Sequence, residues 1–531
     1  LLVGRGSAKQ IDGTDRRESG QRTLGERGHE KSHANDAGQR AGNYRLAGWA
    51  SSDALRFGAN ECQRTYVDIR FSRTPTHLGH QQRSSLLCTL TDMYKHAAVI
   101  GGGISGLASA LALSGRGFRV TLFEGDADLG GLGTTFSWRG VHLERFYHCV
   151  LPNDDALIAR IHELGLSDQM LWRTTKMGFM YRRRVWPMNT PRDLLSFGPL
   201  SVRERLRMGL MGLRARFGGL SPQLDDVTAE DWIRGMVGDR CFDVLWKPLL
   251  SAKIGDHYAA LPALWLSSRM SREKSAGPEK KGCLVGGYRS LIDAFAAELV
   301  RRGVTLRMQT RVNTIDQDRG HMTVSTDHAS RESFDFVVCT LPLVQFQQIT
   351  RGLPIPQMLA ELKLDYQGVV SGVFLTREPL THYYWMPWVD SGATAQGVIE
   401  MSNLVPRERS HGFHVNYLVN YTHRNSDLFK LDEEGLLARY RSDLAVLFPE
   451  VSASIVDQYL FRAPFVEPMW TTGYSRCVPP LSVIPGRLYL ACTAQVYPRV
   501  NSWNACCEVV DTMMPRLIEE VGLGSASKAA T

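Results

Sequence analysis

The spacing of hydrophobic positions changes several times along this chain, and each change marks an element. HAAVIGG is a short apolar strand, SGLASALALSGRG carries small apolar residues at helical spacing and stops at glycine, and FRVTLFEG is a second strand. In that order they make a βαβ unit. From about 153 to 275 the period is mostly helical, as in DDALIARIHELGL, SVRERLRMGLMGLRARF and TAEDWIRGMVGDRCFDVLWKPLL. GGYRSLIDAFAAELVRRGVTLRMQTRVNTIDQ then returns to helix and strand, and FDFVVCTLP is a further buried strand. Residues 365–475 read as strand-rich with aromatics, and GRLYLACTAQ followed by NSWNACCEVVDTMMPRLIEEV closes the pattern with a strand and a long helix. No internal repeat is visible.

Residues 1–92 carry neither period. GRGSAKQIDGTDRRESGQRTLGERGHEKSHANDAGQR is polar and rich in Gly, Arg, Ser and Gln, so it lacks the apolar surface to build a core. This stretch reads as disordered or as a non-native leader, with Met93 as the expected natural start. An Arg-rich transit peptide fits less well because Asp and Glu are present.

With 531 residues and 43% hydrophobic content the chain can bury a sizeable core in two or three domains. The net charge of +8 is not confined to one arm, and no nucleic-acid motif accompanies it. Ten scattered cysteines without a CxxC pair fit a reducing, cytoplasmic setting. No apolar run reaches the roughly 18 residues needed to span a bilayer. No His, Cys, Asp or Glu spacing matches a metal site.

In GGGISG, the glycines Gly101, Gly103 and Gly106 fit G-x-G-x-x-G between a strand and a helix. The first allows a tight turn, the second lets the backbone approach a pyrophosphate, and the third permits close helix–strand contact. The helix starting near Ser105 offers its free N–H groups and positive dipole end to phosphate. Glu124, eighteen residues past Gly106, ends the second strand, close to the spacing of an acid that binds an adenosine ribose.

EGDADLGGLGTTF resembles the flavoprotein superfamily of amine oxidases, protoporphyrinogen oxidases, carotenoid desaturases and UDP-galactopyranose mutases. In that superfamily an acid is followed by a glycine pair along FAD. Here the pair is Gly130 and Gly131, with Gly133 and Thr134 beside it. The segment with Val312 is similar to the one that sets its backbone against the adenine. GRLYLACTAQVYPRVNSWNACCEVV resembles the C-terminal flavin segment, which makes Ala491, Gln495 and Asn504 cofactor candidates. The resemblance departs at Leu132, where many amine oxidases have Arg, and at Ala491–Gln495, which lacks the usual glycines. It implies an α/β chain with a discontinuous Rossmann-like FAD domain over 94–150, 280–345 and 480–525. A helical insert would cover 151–279 and a sheet-containing substrate domain 346–479.

RGVHLERFYHCVLPNDD is similar to the stretch that crosses near the isoalloxazine, so His142, Glu144, Tyr147 and His148 are candidates to shape that site. His148 could exchange a proton near neutral pH, or these side chains could simply bond to backbone. Lys247, Lys253 and Arg269 could hold an anionic substrate, or serve as surface cations with buried stems. Tyr383, Tyr384, Trp385 and Trp388 read as sheet core or pocket lining. In residues 201–217, Leu206, Leu210 and Leu213 share a helical face bordered by Arg203, Arg207 and Arg214, a pattern that suits either a membrane surface or a domain interior. The catalytic candidates are thus His148, Glu144 and Lys253.

No second dinucleotide motif follows a strand elsewhere. Electrons from a small-molecule substrate would therefore leave to oxygen, a quinone or another carrier. The expected activity is FAD-dependent hydride removal from that substrate. The alternatives are a redox-neutral mutase acting on a nucleotide sugar and a non-catalytic FAD-binding protein.

Overall fold

A computed structural model describes residues 95–217, 221–272 and 279–522, so the leader expectation for residues 1–92 lies outside the described residues. A six-stranded sheet takes its strands from distant parts of the chain, in the order Ser482–Ile484, Leu488–Leu490, Phe336–Cys339, His96–Ile100, Arg119–Phe123 and Thr305–Arg307. All pairings are parallel except that between the first two. Parallel strands are covered on both faces, which is why residues 97–100 read as continuously apolar. Ala97 and Val99 pack with Leu107, Leu111, Met513 and Leu517 on the helical side. Ala98 and Ile100 join Met322, Val324 and Phe334 of a three-stranded sheet on the other.

A seven-stranded sheet forms the second body, in the order Ile455–Pro468, Tyr366–Thr376, His414–His423, Gly397–Glu400, Trp385–Val389, Gly178–Tyr181 and Arg184–Pro187. Tyr383, Tyr384 and Trp388 are buried in this sheet region. The helix Glu433–Leu447, absent from the strand-rich reading, packs Tyr440 and Leu444 into the same core, with Asp432 as its N-cap.

The span 151–279 is less purely helical than its period suggests. It contributes the last two strands of the large sheet, and Met170–Thr174, which pairs antiparallel with Lys280–Leu284. Each of these strands has only four or five residues; Gly178–Tyr181 and Met170–Thr174 pair with strands far along the chain, and Arg184–Pro187 folds back on Gly178–Tyr181 as a hairpin at the sheet edge. Too few positions remain for alternation to show.

Candidate active site

The turn after His96–Ile100 enters the helix Ile104–Ser114 through Gly103, with no side-chain cap and no acidic residue in the first turn. Its leading N–H groups therefore point outward without a carboxylate to absorb them. A side-chain carbon at Gly103 would meet nothing within 4 Å, whereas one at Gly106 would lie 1.8 Å from the Gly101 carbonyl oxygen. Gly103 thus borders open space, and Gly106 is in tight contact with the turn. Ser105 stands near the thiol of Cys506 on the C-terminal helix Trp503–Val521.

Glu124 follows the second strand. Its carboxylate accepts the N–H of Gly102 at 2.7 Å and that of Asp126 at 2.8 Å. Burial raises its pKa, against the lowering effect of those two bonds. The Thr310 N–H donates to the Glu124 carbonyl at 2.8 Å, so Val312, two residues later, begins its strand on the same side. Gly130 donates to the Gly102 carbonyl at 2.8 Å, which brings the 130–134 segment onto the turn. The ring of Trp503 fills the space a side chain at Gly133 would need, and Thr134 accepts the N–H of Arg145 at 3.1 Å.

Ala491 is fully buried and bonds Cys339 across the sheet. Gln495 donates to the carbonyls of Pro479, Pro480 and Leu490 and accepts the N–H of Cys492. Asn504 accepts the Leu157 N–H and pairs with Glu508. The amides of Gln495 and Asn504 therefore serve the fold rather than projecting toward a ligand.

From Trp503 a continuous run of contacts leads to the remaining candidates. His148 lies 6.0 Å from the Trp503 ring and 4.8 Å from Tyr288, while its Nδ1 meets the Phe146 carbonyl at 2.9 Å. A carbonyl only accepts, so the proton sits on Nδ1, and burial lowers the ring's pKa. Burial thus favours the neutral imidazole, with Nε2 as its acceptor.

Glu144 is not a free acid. It accepts from Arg409 at 2.8 Å and from the Tyr288 N–H at 3.0 Å; the carboxylate is buried and the guanidinium partly so. The neighbouring His142 side chain is exposed, and its carbonyl accepts from Arg409.

Lys253 lies 4.1 Å over the Tyr421 ring and 3.3 Å from the buried carboxylate of Glu467. Its charge is thus already balanced, which disfavours the anion-holding role. Tyr421 and Tyr147 share a hydroxyl contact of 2.7 Å, and Arg269 acts electrostatically on both. Burial raises the pKa of Tyr421 to about 12 and those of Tyr147, Tyr288, Tyr384 and Tyr417 well upward, so these phenols stay protonated. Lys247 lies apart, over Tyr258.

Arg409, Glu467, Tyr288, Tyr421 and Trp503 were not found by the sequence reading. Tyr417 and Tyr421, four apart in a strand, share one face, and that spacing was a usable signal. Trp503 opens a helix just after the Ser502 N-cap, also a visible cue. Arg409 and Glu467 have no comparable mark.

Open space beside Gly103, uncapped helix amides, a second glycine segment against the turn and an acid at the strand end together fit an adenine dinucleotide. The turn amides would hold the pyrophosphate and Glu124 the ribose. Fold and site define an α/β dinucleotide-binding protein. Residues 104–498 match the family described as flavin containing amine oxidoreductase; the chain belongs to that family, and its cofactor is FAD.

Among relatives, the mitochondrial protoporphyrinogen oxidase of Nicotiana tabacum is 25% identical over 309 residues, covering 49% of this chain and 61% of that enzyme. The chain thus spans less than two thirds of that relative's length. Among solved structures, cyclohexylamine oxidase from Brevibacterium oxydans IH-35A superposes with a TM-score of 0.65 at 14% identity, covering 80% of this chain and 99% of that one. Reduced UDP-galactopyranose mutase gives 0.63 at 16%, covering 81% and 96%. Both structures share the fold.

Proposed function

We propose that this chain is an oxidoreductase that removes hydride from a carbon of a small-molecule substrate held beside Tyr147, Tyr421 and Lys253. The family match over residues 104–498 carries this reading. FAD, when bound, supplies the two-electron acceptor. The chain supplies position and electrostatics. Protonated tyrosines offer hydrogen bonds without adding negative charge, and the Lys253–Glu467 pair places balanced charge beside the Tyr421 ring. Neutral His148 keeps an acceptor nitrogen beside Tyr288 and Trp503, suited to accept a proton the substrate releases.

Amines and porphyrinogens are the first substrate classes to try, given the family and the tobacco relative. The test is an anaerobic titration of FAD-loaded protein, following the flavin's visible absorbance. Bleaching by a member of either class supports the reading, and comparison of oxygen with a quinone in re-oxidation identifies the acceptor. Binding of a UDP-sugar and turnover only after prior reduction would replace it with the mutase reaction. Bound FAD that no metabolite reduces, and no reduced-state turnover, would leave a non-catalytic FAD protein.

A further inference from the structure

We propose that the helix Val202–Phe217 docks this protein on an anionic lipid surface. Val202, Leu206, Leu210 and Leu213 are 64%, 62%, 50% and 56% exposed. Spaced by four, four and three residues, they form one stripe along the helix. Leu195, 53% exposed on the preceding helix, extends the apolar surface where the Arg205 guanidinium donates to its carbonyl.

The opposite face fixes this orientation. Met211 is buried, the Met208 sulfur lies 3.1 Å from Trp246 Nε1, and Glu204 is held by Ser201 at 2.7 Å and Arg240 at 2.5 Å. The stripe therefore faces away from the contacts that anchor the helix.

Charge selects the occupant. Arg203, Arg207 and Arg214 are exposed and follow the stripe along one border, while Arg205 holds the other. Glu204, the helix's single acid, is already paired with Arg240. An apolar stripe between arginine rows fits acyl chains below and anionic headgroups beside them. A second copy fits poorly, because a twofold contact would set the same arginine rows against each other. The helix packs on Ala263–Arg272, whose Arg269 acts on Tyr147 and Tyr421, so docking would bring the candidate substrate site within one helix of the lipid.

The test is co-sedimentation of the full FAD-loaded chain with vesicles of phosphatidylcholine alone or mixed with phosphatidylglycerol, at low and high salt. The chain is expected to sediment with the mixed vesicles and to be released by salt. Leu206→Ser with Leu210→Ser, and separately Arg203→Glu with Arg207→Glu, should each weaken binding by about tenfold or more. Thermal melts and flavin spectra should match the parent, since these side chains are exposed. Failure of the parent chain to bind mixed vesicles would overturn the proposal. Equal vesicle binding by the leucine variant would do so as well. A concentration-dependent oligomer that those substitutions dissolve, without vesicle binding, would assign the stripe to a second copy instead.

Discussion

Glu124 Oε2 accepts the N–H of Gly102 at 2.7 Å, so the acid that ends the second strand also ties down the glycine turn. Removing it should impair both cofactor contact and turn order. Glu124→Ala is expected to weaken FAD binding by about ten- to a hundredfold, given roughly 1.5–3 kcal/mol for a hydrogen bond to a charged group. Fluorescence titration of apoprotein with FAD measures this; an unchanged Kd would remove Glu124 from the site.

Two glycines of the same motif should fail in different ways. Gly106→Ala places a carbon 1.8 Å from the Gly101 carbonyl oxygen, so destabilisation of about 3 kcal/mol is expected even without cofactor. Gly103→Ala has room in the protein, and should melt like the parent as apoprotein while losing about tenfold or more in FAD affinity. Melting curves with and without FAD separate the two effects.

The pair of buried Glu144 with partly buried Arg409 predicts strong coupling. Glu144→Gln alone leaves the Arg409 charge uncompensated and should cost about 3–5 kcal/mol in denaturant unfolding, whereas Glu144→Gln with Arg409→Met should recover much of that loss. Additive losses would show that the pair does not act as a unit.

His96 provides a pH signature. Burial, with Arg119 nearby, lowers its pKa from 6.5 to about 4, although Asp335 opposes the shift. The unfolded chain takes up the proton first as pH falls, so this contribution to stability is full above about 6.5 and is lost between there and about 4. The melting temperature should fall across that window, and by less in His96→Gln. Parallel pH profiles for the two proteins would contradict the assignment.

What could be read in advance follows from range. The α/β class was legible because parallel strands leave continuous apolar runs, and the glycine turn because backbone geometry restricts which residue can stand at Gly106. Glu144 stood out within its local segment, but its partner Arg409 lies 265 residues away, where no local pattern announces it. Gln495 and Asn504 belong to a segment with recognisable resemblance, yet amide side chains can turn toward the fold as readily as toward a ligand, and here they bond inward. The short strands Gly178–Tyr181 and Arg184–Pro187 were hidden because pairing at a sheet edge, rather than their own period, makes them strands.

The central strand Phe336–Cys339 lies between His96–Ile100 and Leu488–Leu490, and this order constrains how the protein can be born. At about 5–20 residues per second, tens of seconds separate emergence of the first of these strands from the last. Throughout that interval the nascent chain carries an unfinished sheet with an open apolar edge, an invitation to chaperones or to aggregation. Trp503, the wall beside Gly133, is made later still. A chain stopped before the helix Trp503–Val521 would carry the glycine turn and Glu124 but not the ring that walls Gly133, so the second glycine segment would lose its backing.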